Sequence, residues 1–168
     1  MPVARRRLLV TGIVVLAVAG GGWYYLTGHE ERAAGGHDPT KNPILQPSVP
    51  QAVQSVYNRV SVRDAQGACL LLGPTAQAEF ARDHGAADCP QAVLGVKVTD
   101  PSSYGNPRLG DVASGGTQAT VSSCELQTTA GDPLTAAGDP LGTFVLQRMP
   151  GGWQITHLTR EPPCPPGG

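Results

Sequence analysis

Few residues of this chain have the type and setting for chemistry. His157 stands in the run Trp153-Gln154-Ile155-Thr156-His157 and is the one candidate base on a predicted strand. Glu125 is the only carboxylate within 118–127, and none occurs within 143–159. Tyr57 is the candidate hydroxyl donor. Both have plainer readings. An isolated strand histidine is more often hydrogen-bonded or exposed than catalytic. Tyr57 follows Val53 and Val56 and precedes Val60 at i, i+3, i+4, i+7, the buried stripe of an amphipathic helix. No G-x-S-x-G, H-E-x-x-H, phosphate loop or dinucleotide glycine motif is present. The residues call for no catalytic, cofactor or metal site. A possible cluster at His29, Glu30, Glu31, His37 and Asp38 lacks ligand spacing and sits in a stretch read as a linker.

The four cysteines, Cys69, Cys89, Cys124 and Cys164, are the other reactive set. No C-x-x-C occurs and the spacings match no zinc module, so disulfides are the expected use. Three connectivities are open. The positions in the predicted helical and strand halves favour Cys69–Cys89, joining two helices, and Cys124–Cys164, stapling a proline-rich tail to a strand.

The elements that must position these residues begin with an apolar N-terminus. Arg5, Arg6 and Arg7 precede an uncharged stretch from Leu8 to Leu26, ending in Trp23, Tyr24 and Tyr25. As a helix its 19 residues would span about 28 Å, close to the hydrocarbon core of a bilayer. Basic residues stay cytoplasmic and aromatic rings settle at the interface. The expectation is therefore a cytoplasmic basic tip over 1–7, a transmembrane helix over 8–26 in contact with the lipid bilayer, and an extracytoplasmic remainder. The alternative is a cleaved signal ending near Ala19 in Ala17-Val18-Ala19. Residues 27–49 read as a Pro/Gly-rich linker. With Arg5–Arg7 set aside, nine Lys+Arg remain against thirteen Asp+Glu, a net charge of −4 over 27–168. That balance argues against nucleic acid, which needs a basic patch.

From 50 to 160 the pattern predicts an α+β domain. A helix starts at Ser48 or Pro50. An apolar cluster runs over Ala68–Leu72. A second helix covers Thr75–His84 and stops at Gly85, and a short one lies near Pro90–Leu94. Strands are predicted at Val96–Val98, Gln118–Gln127, Thr143–Met149 and Trp153–Thr159. Pro150-Gly151-Gly152 is a hairpin signal between the last two. Strand alternation would put Trp153, Ile155 and His157 on one face. The tail, 161–168, is too rich in proline to join a central strand.

The runs Ala65-Gln66-Gly67-Ala68-Cys69-Leu70-Leu71-Leu72, Pro74-Thr75-Ala76, Asp88-Cys89 and Gly151-Gly152-Trp153-Gln154-Ile155 resemble exported actinobacterial proteins of the nuclear-transport-factor-2-like superfamily over about residues 50–160. The resemblance implies a cone: helices around a strongly curved antiparallel sheet enclosing a pocket. Isomerase chemistry in such a cone needs an Asp base, a Tyr donor and a protonated Asp. Tyr57 could supply the second, but no strand Asp supplies the others. The expectation is a single-pass plasma-membrane protein whose non-catalytic extracytoplasmic domain binds an unknown envelope protein. Tyr57, Trp153 and His157 would line its pocket or surface. Binding of a small apolar ligand in the cone is the second expectation, and cyclase- or isomerase-like turnover the third.

Overall fold

The computed structural model describes residues 44–110 and 116–165, which fall within one compact unit, residues 38–168. Among the described residues five α-helices precede three strands. Helix α1, Val49–Ser61, starts because the Ser48 hydroxyl oxygen accepts the Gln51 N–H at 3.4 Å and Pro50 fits the first turn. Its buried face is Val49, Ala52, Val53, Val56, Tyr57 and Val60. Each of its valines contributes about 1.5–3 kcal/mol on burial. Helix α2, Ala65–Leu70, is capped by Asp64, whose Oδ1 accepts the Gly67 N–H at 2.9 Å. Helix α3, Pro74–Asp83, buries Ala76, Phe80 and Ala81 and gives way to Gly85 at φ +64°. Helix α4, Cys89–Gly95, is capped by Asp88, and helix α5, Pro101–Tyr104, by Asp100.

Strands β1 (Gln118–Ser122), β2 (Thr143–Met149) and β3 (Gly152–Thr159) form an antiparallel sheet in the order β1-β2-β3. Gly152, at φ +155°, closes the β2–β3 turn. A Cβ there would come 2.6 Å from the Gln46 carbonyl oxygen, so only glycine fits.

The outer edge of β3 is covered along its length. Gln46 exchanges two backbone bonds with Trp153, at 3.0 and 2.7 Å, and the Gly73 N–H donates to the Ile155 carbonyl at 2.8 Å. Glu79 and Asp83, one turn apart on α3, then accept the N–H groups of Leu158 (3.2 Å) and Arg160 (2.9 Å). Two carboxylates thus stand in for a missing fourth strand, which removes the edge as a pairing template.

Several expectations need correction. The sheet is open and three-stranded, so the strongly curved cone is replaced by a helical layer against a small open sheet. Val96–Val98 forms no strand; Val98 makes a single bridge to Gly138. The strand expected over Gln118–Gln127 stops at Ser122, whose hydroxyl accepts the Cys124 N–H and turns the chain into a 3₁₀ helix, Ser123–Glu125. A bulge shifts the β2–β3 register: Val145 faces His157, whereas Leu146 faces Ile155. That extra residue separates His157 from the face of Trp153 and Ile155 and brings Leu158 into the core in its place.

The membrane expectation gains no support either. Among the described residues no helix is long and apolar enough to cross a membrane. The longest, α1, has 13 residues and a polar face, against about 20 apolar residues for a span. The stretch 8–26 and the cleavage alternative near Ala19 lie outside the described residues. The single-pass topology, the plasma-membrane address and the lipid-bilayer contact are therefore not supported. The expected roles built on anchor and cone, an interaction domain at the cell envelope and a ligand in a cone pocket, lose their basis with them.

Candidate functional site

Both disulfides are present, in the pairs Cys69–Cys89 and Cys124–Cys164. The first joins α2 to the start of α4. The second fixes the chain after β3 to the turn after β1.

Tyr57 lies at the centre of the core, fully buried. Its ring meets Tyr104 edge-on, with centroids 4.9 Å apart, and Phe144 at 6.0 Å. Its hydroxyl donates to Ser123 Oγ at 2.8 Å and accepts the Leu141 N–H at 3.5 Å. Ser123 Oγ in turn donates to the Gly142 carbonyl at 2.6 Å and accepts the Gly142 N–H at 2.9 Å. Every donor and lone-pair position of that hydroxyl is engaged. Gly142 itself has φ +123°, and a Cβ would meet the Thr159 carbonyl oxygen at 2.2 Å. Glu161 completes the knot by accepting the Ser123 N–H at 3.0 Å and the Thr143 hydroxyl at 2.8 Å. Burial pushes the Tyr57 phenol above its ordinary pKa, against the opposing pull of Ser123 and Leu141. The knot locks α1, both ends of the 123–142 segment and the tail together. Its tyrosine and serine are hydrogen-bonded core groups.

Trp153 is also buried, on the inner face with Ile155. The Arg148 guanidinium lies over its ring at 5.9 Å from the centroid. His157 is half exposed on the other face. Its Nδ1 lies 3.0 Å from Glu79 Oε1, and Glu79 also accepts the Leu158 N–H. A carboxylate orienting a histidine is half of a general-base arrangement, but this one doubles as an edge cap. The three residues singled out in the sequence, Tyr57, Trp153 and His157, are therefore not brought together.

The structure gathers a different set. A cleft of about 1260 Å³ opens between the C-terminal end of α3, the 135–141 segment and the chain after β3. Arg82, Asp83 and His84 come from the first wall, Asp139 from the second, Arg160 and Glu161 from the third. Leu141, Pro140, Pro162 and Pro163 supply apolar surface, and Cys164 ties the third wall to the rest of the domain. The His84 ring packs on Phe80 with centroids 4.4 Å apart. Desolvation there lowers the imidazole pKa; Asp139 and Asp83 pull it up, and Arg160 pushes it down. A second cleft of about 800 Å³ beside α1 presents Gln54, Ser55, Asn58 and Asn106. Among the described residues no group of three or more His, Cys, Asp or Glu could hold a metal ion.

No family model matches this chain, and no curated protein or solved structure matches it. The resemblance to the nuclear-transport-factor-2-like superfamily is thus set aside, since neither the comparisons nor the open sheet supports it.

Proposed function

We propose that residues 44–165 form a non-catalytic binding domain that takes its ligand in the cleft between α3, the 135–141 segment and the chain after β3. The observation that carries this reading is the construction of the cleft. Three segments distant in sequence converge on it, and one wall is held by a disulfide. A concave site of this size, with apolar surface and a few convergent polar groups, suits a small molecule or a short peptide segment. The buried hydroxyls of Tyr57 and Ser123 are engaged in the knot with Gly142, and that of Tyr104 donates to the Asp139 carbonyl. That arrangement supports recognition over turnover.

The test is a thermal-unfolding screen of the purified full chain against a fragment panel, with each hit recovered and weighed by mass spectrometry. A bound ligand stabilises the fold by mass action, about 2.7 kcal/mol at one hundred times its Kd. The reading expects saturable stabilisation by fragments recovered unchanged. A hit converted to product by the wild-type protein refutes the non-catalytic reading.

A further inference from the structure

The donors and acceptors in the cleft are unequally engaged. Asp83 accepts the Arg82 Nε–H at 2.9 Å and the Arg160 backbone N–H at 2.9 Å. Glu161 accepts from Ser123 and Thr143. Asp139 Oδ2 accepts the Lys97 N–H at 3.0 Å. All three carboxylates are therefore turned to internal work. Arg82 is paired with Asp83, but Arg160 and His84 are not so engaged. Arg160 is exposed, and among the described residues its guanidinium makes no hydrogen bond or ion pair; only its backbone is tied down. The His84 ring packs at a tilt against Phe80, with its nitrogens bonded to nothing among the described residues. Arg160 disfavours the charged form of the imidazole, while Asp139 and Asp83 favour it. Both side chains line the same cleft, so an acceptor bound there would meet donors that the fold leaves unused.

Resting on the binding-domain reading above, we propose that the cleft recognises an oxyanion, a carboxylate or a phosphate, carried on an apolar body. Arg160 grips the oxyanion and the Pro140–Leu141 and Pro162–Pro163 surfaces hold the body. A guanidinium fork matches either oxyanion through paired N–H bonds. The apolar body answers the proline and leucine lining. Charge alone does not make the selection. The walls carry Arg82 and Arg160 against Asp83, Asp139 and Glu161, so the preference for an anion comes from which groups have free hydrogen-bonding capacity.

The experiment titrates the full chain with four probes sharing one tail: hexanoate, hexyl phosphate, hexylammonium and 1-hexanol. Binding is followed by calorimetry and by the His84 imidazole resonances. Hexanoate, hexyl phosphate or both should bind saturably, and the comparison of the two names the source of the oxyanion. Binding should raise the His84 pKa, because the anion faces it alongside Asp83 and Asp139. Arg160→Gln should weaken binding at least tenfold, and Arg160→Lys should restore part of it, since charge returns without the fork. The backbone bond from residue 160 to Asp83 survives both changes, so thermal stability reports whether the variants fold. If hexylammonium or hexanol binds at the cleft as well as hexanoate does, or if Arg160→Gln binds hexanoate normally, the oxyanion proposal fails while the binding cleft stands. If none of the four probes perturbs His84, the oxyanion proposal fails as well, and failure of the wider fragment screen would then remove the cleft reading too.

Discussion

Ser123→Ala removes the hub of the buried knot. Two groups then lose their partners. The Tyr57 hydroxyl has no acceptor for its proton, and the Gly142 N–H has no acceptor at all. The Gly142 carbonyl keeps one bond, from the Ser123 backbone N–H at 3.2 Å. Each buried group left unsatisfied costs about 1–3 kcal/mol, so the substitution should destabilise by about 2–6 kcal/mol. Tyr57→Phe is milder. Ser123 Oγ keeps both of its bonds to Gly142, and only the long Leu141 contact loses its acceptor; about 1–2 kcal/mol is expected. In the double variant the orphaned phenol no longer exists, so its cost should fall below the sum of the singles by about 0.5–3 kcal/mol. The assay is urea unfolding with intact disulfides, followed by far-ultraviolet circular dichroism. Ser123→Ala within about 0.5 kcal/mol of wild type, or strictly additive singles, would refute the claim that this network holds the domain together.

Further outcomes follow from the same structure. Tyr57 and Tyr104 both have phenols raised by burial, so two of the four tyrosines should resist alkaline ionisation until the chain unfolds. Because the folded state holds those protons more tightly, stability should fall as pH rises past the ordinary phenol value of about 10; ionisation of all four together in folded protein would contradict this. His84 has the opposite sign, its folded pKa being lowered. Stability should fall as pH drops through the ordinary histidine range, and by less in His84→Gln, as read from Tm between neutral and mildly acidic buffer. Replacing the Cys69–Cys89 pair by serines, with a sequence separation of 20, should cost about 3 kcal/mol, and loss of Cys124–Cys164, with a separation of 40, about 4 kcal/mol. Trp153→Ala should cost about 3–5 kcal/mol by emptying the inner face beside Ile155, checked by the shift in urea midpoint.

Local pattern carried some of this architecture. The valine stripe of α1, the glycine after α3, the Pro-Gly-Gly hairpin and the split of four cysteines into a helical pair and a strand pair are all readable without tertiary information. What was not readable depends on single residues or on long-range meeting points. One extra residue in β3 moves His157 off the Trp153 face, and strict alternation cannot anticipate a bulge. One serine hydroxyl at Ser122 ends β1 early. Glu79 and Asp83 sit at helical spacing in plain sight, but their role appears only when β3 lies beside them. The cleft is the extreme case. His84, Asp139 and Arg160 share no local motif, and only the folded chain puts them around one space. The cone expectation failed for a related reason: a few short runs constrain a segment, not the shape of the sheet that follows.

Where a ligand lands is the most direct test of the cleft. Backbone amide resonances of the full chain, recorded during titration with a fragment that stabilises it, read this residue by residue. The cleft reading predicts that residues 82–85, 135–141 and 160–164 shift together and saturate with one affinity. Shifts confined to Gln54, Asn58 and Asn106 beside α1, with His84 and Arg160 unmoved, would contradict it.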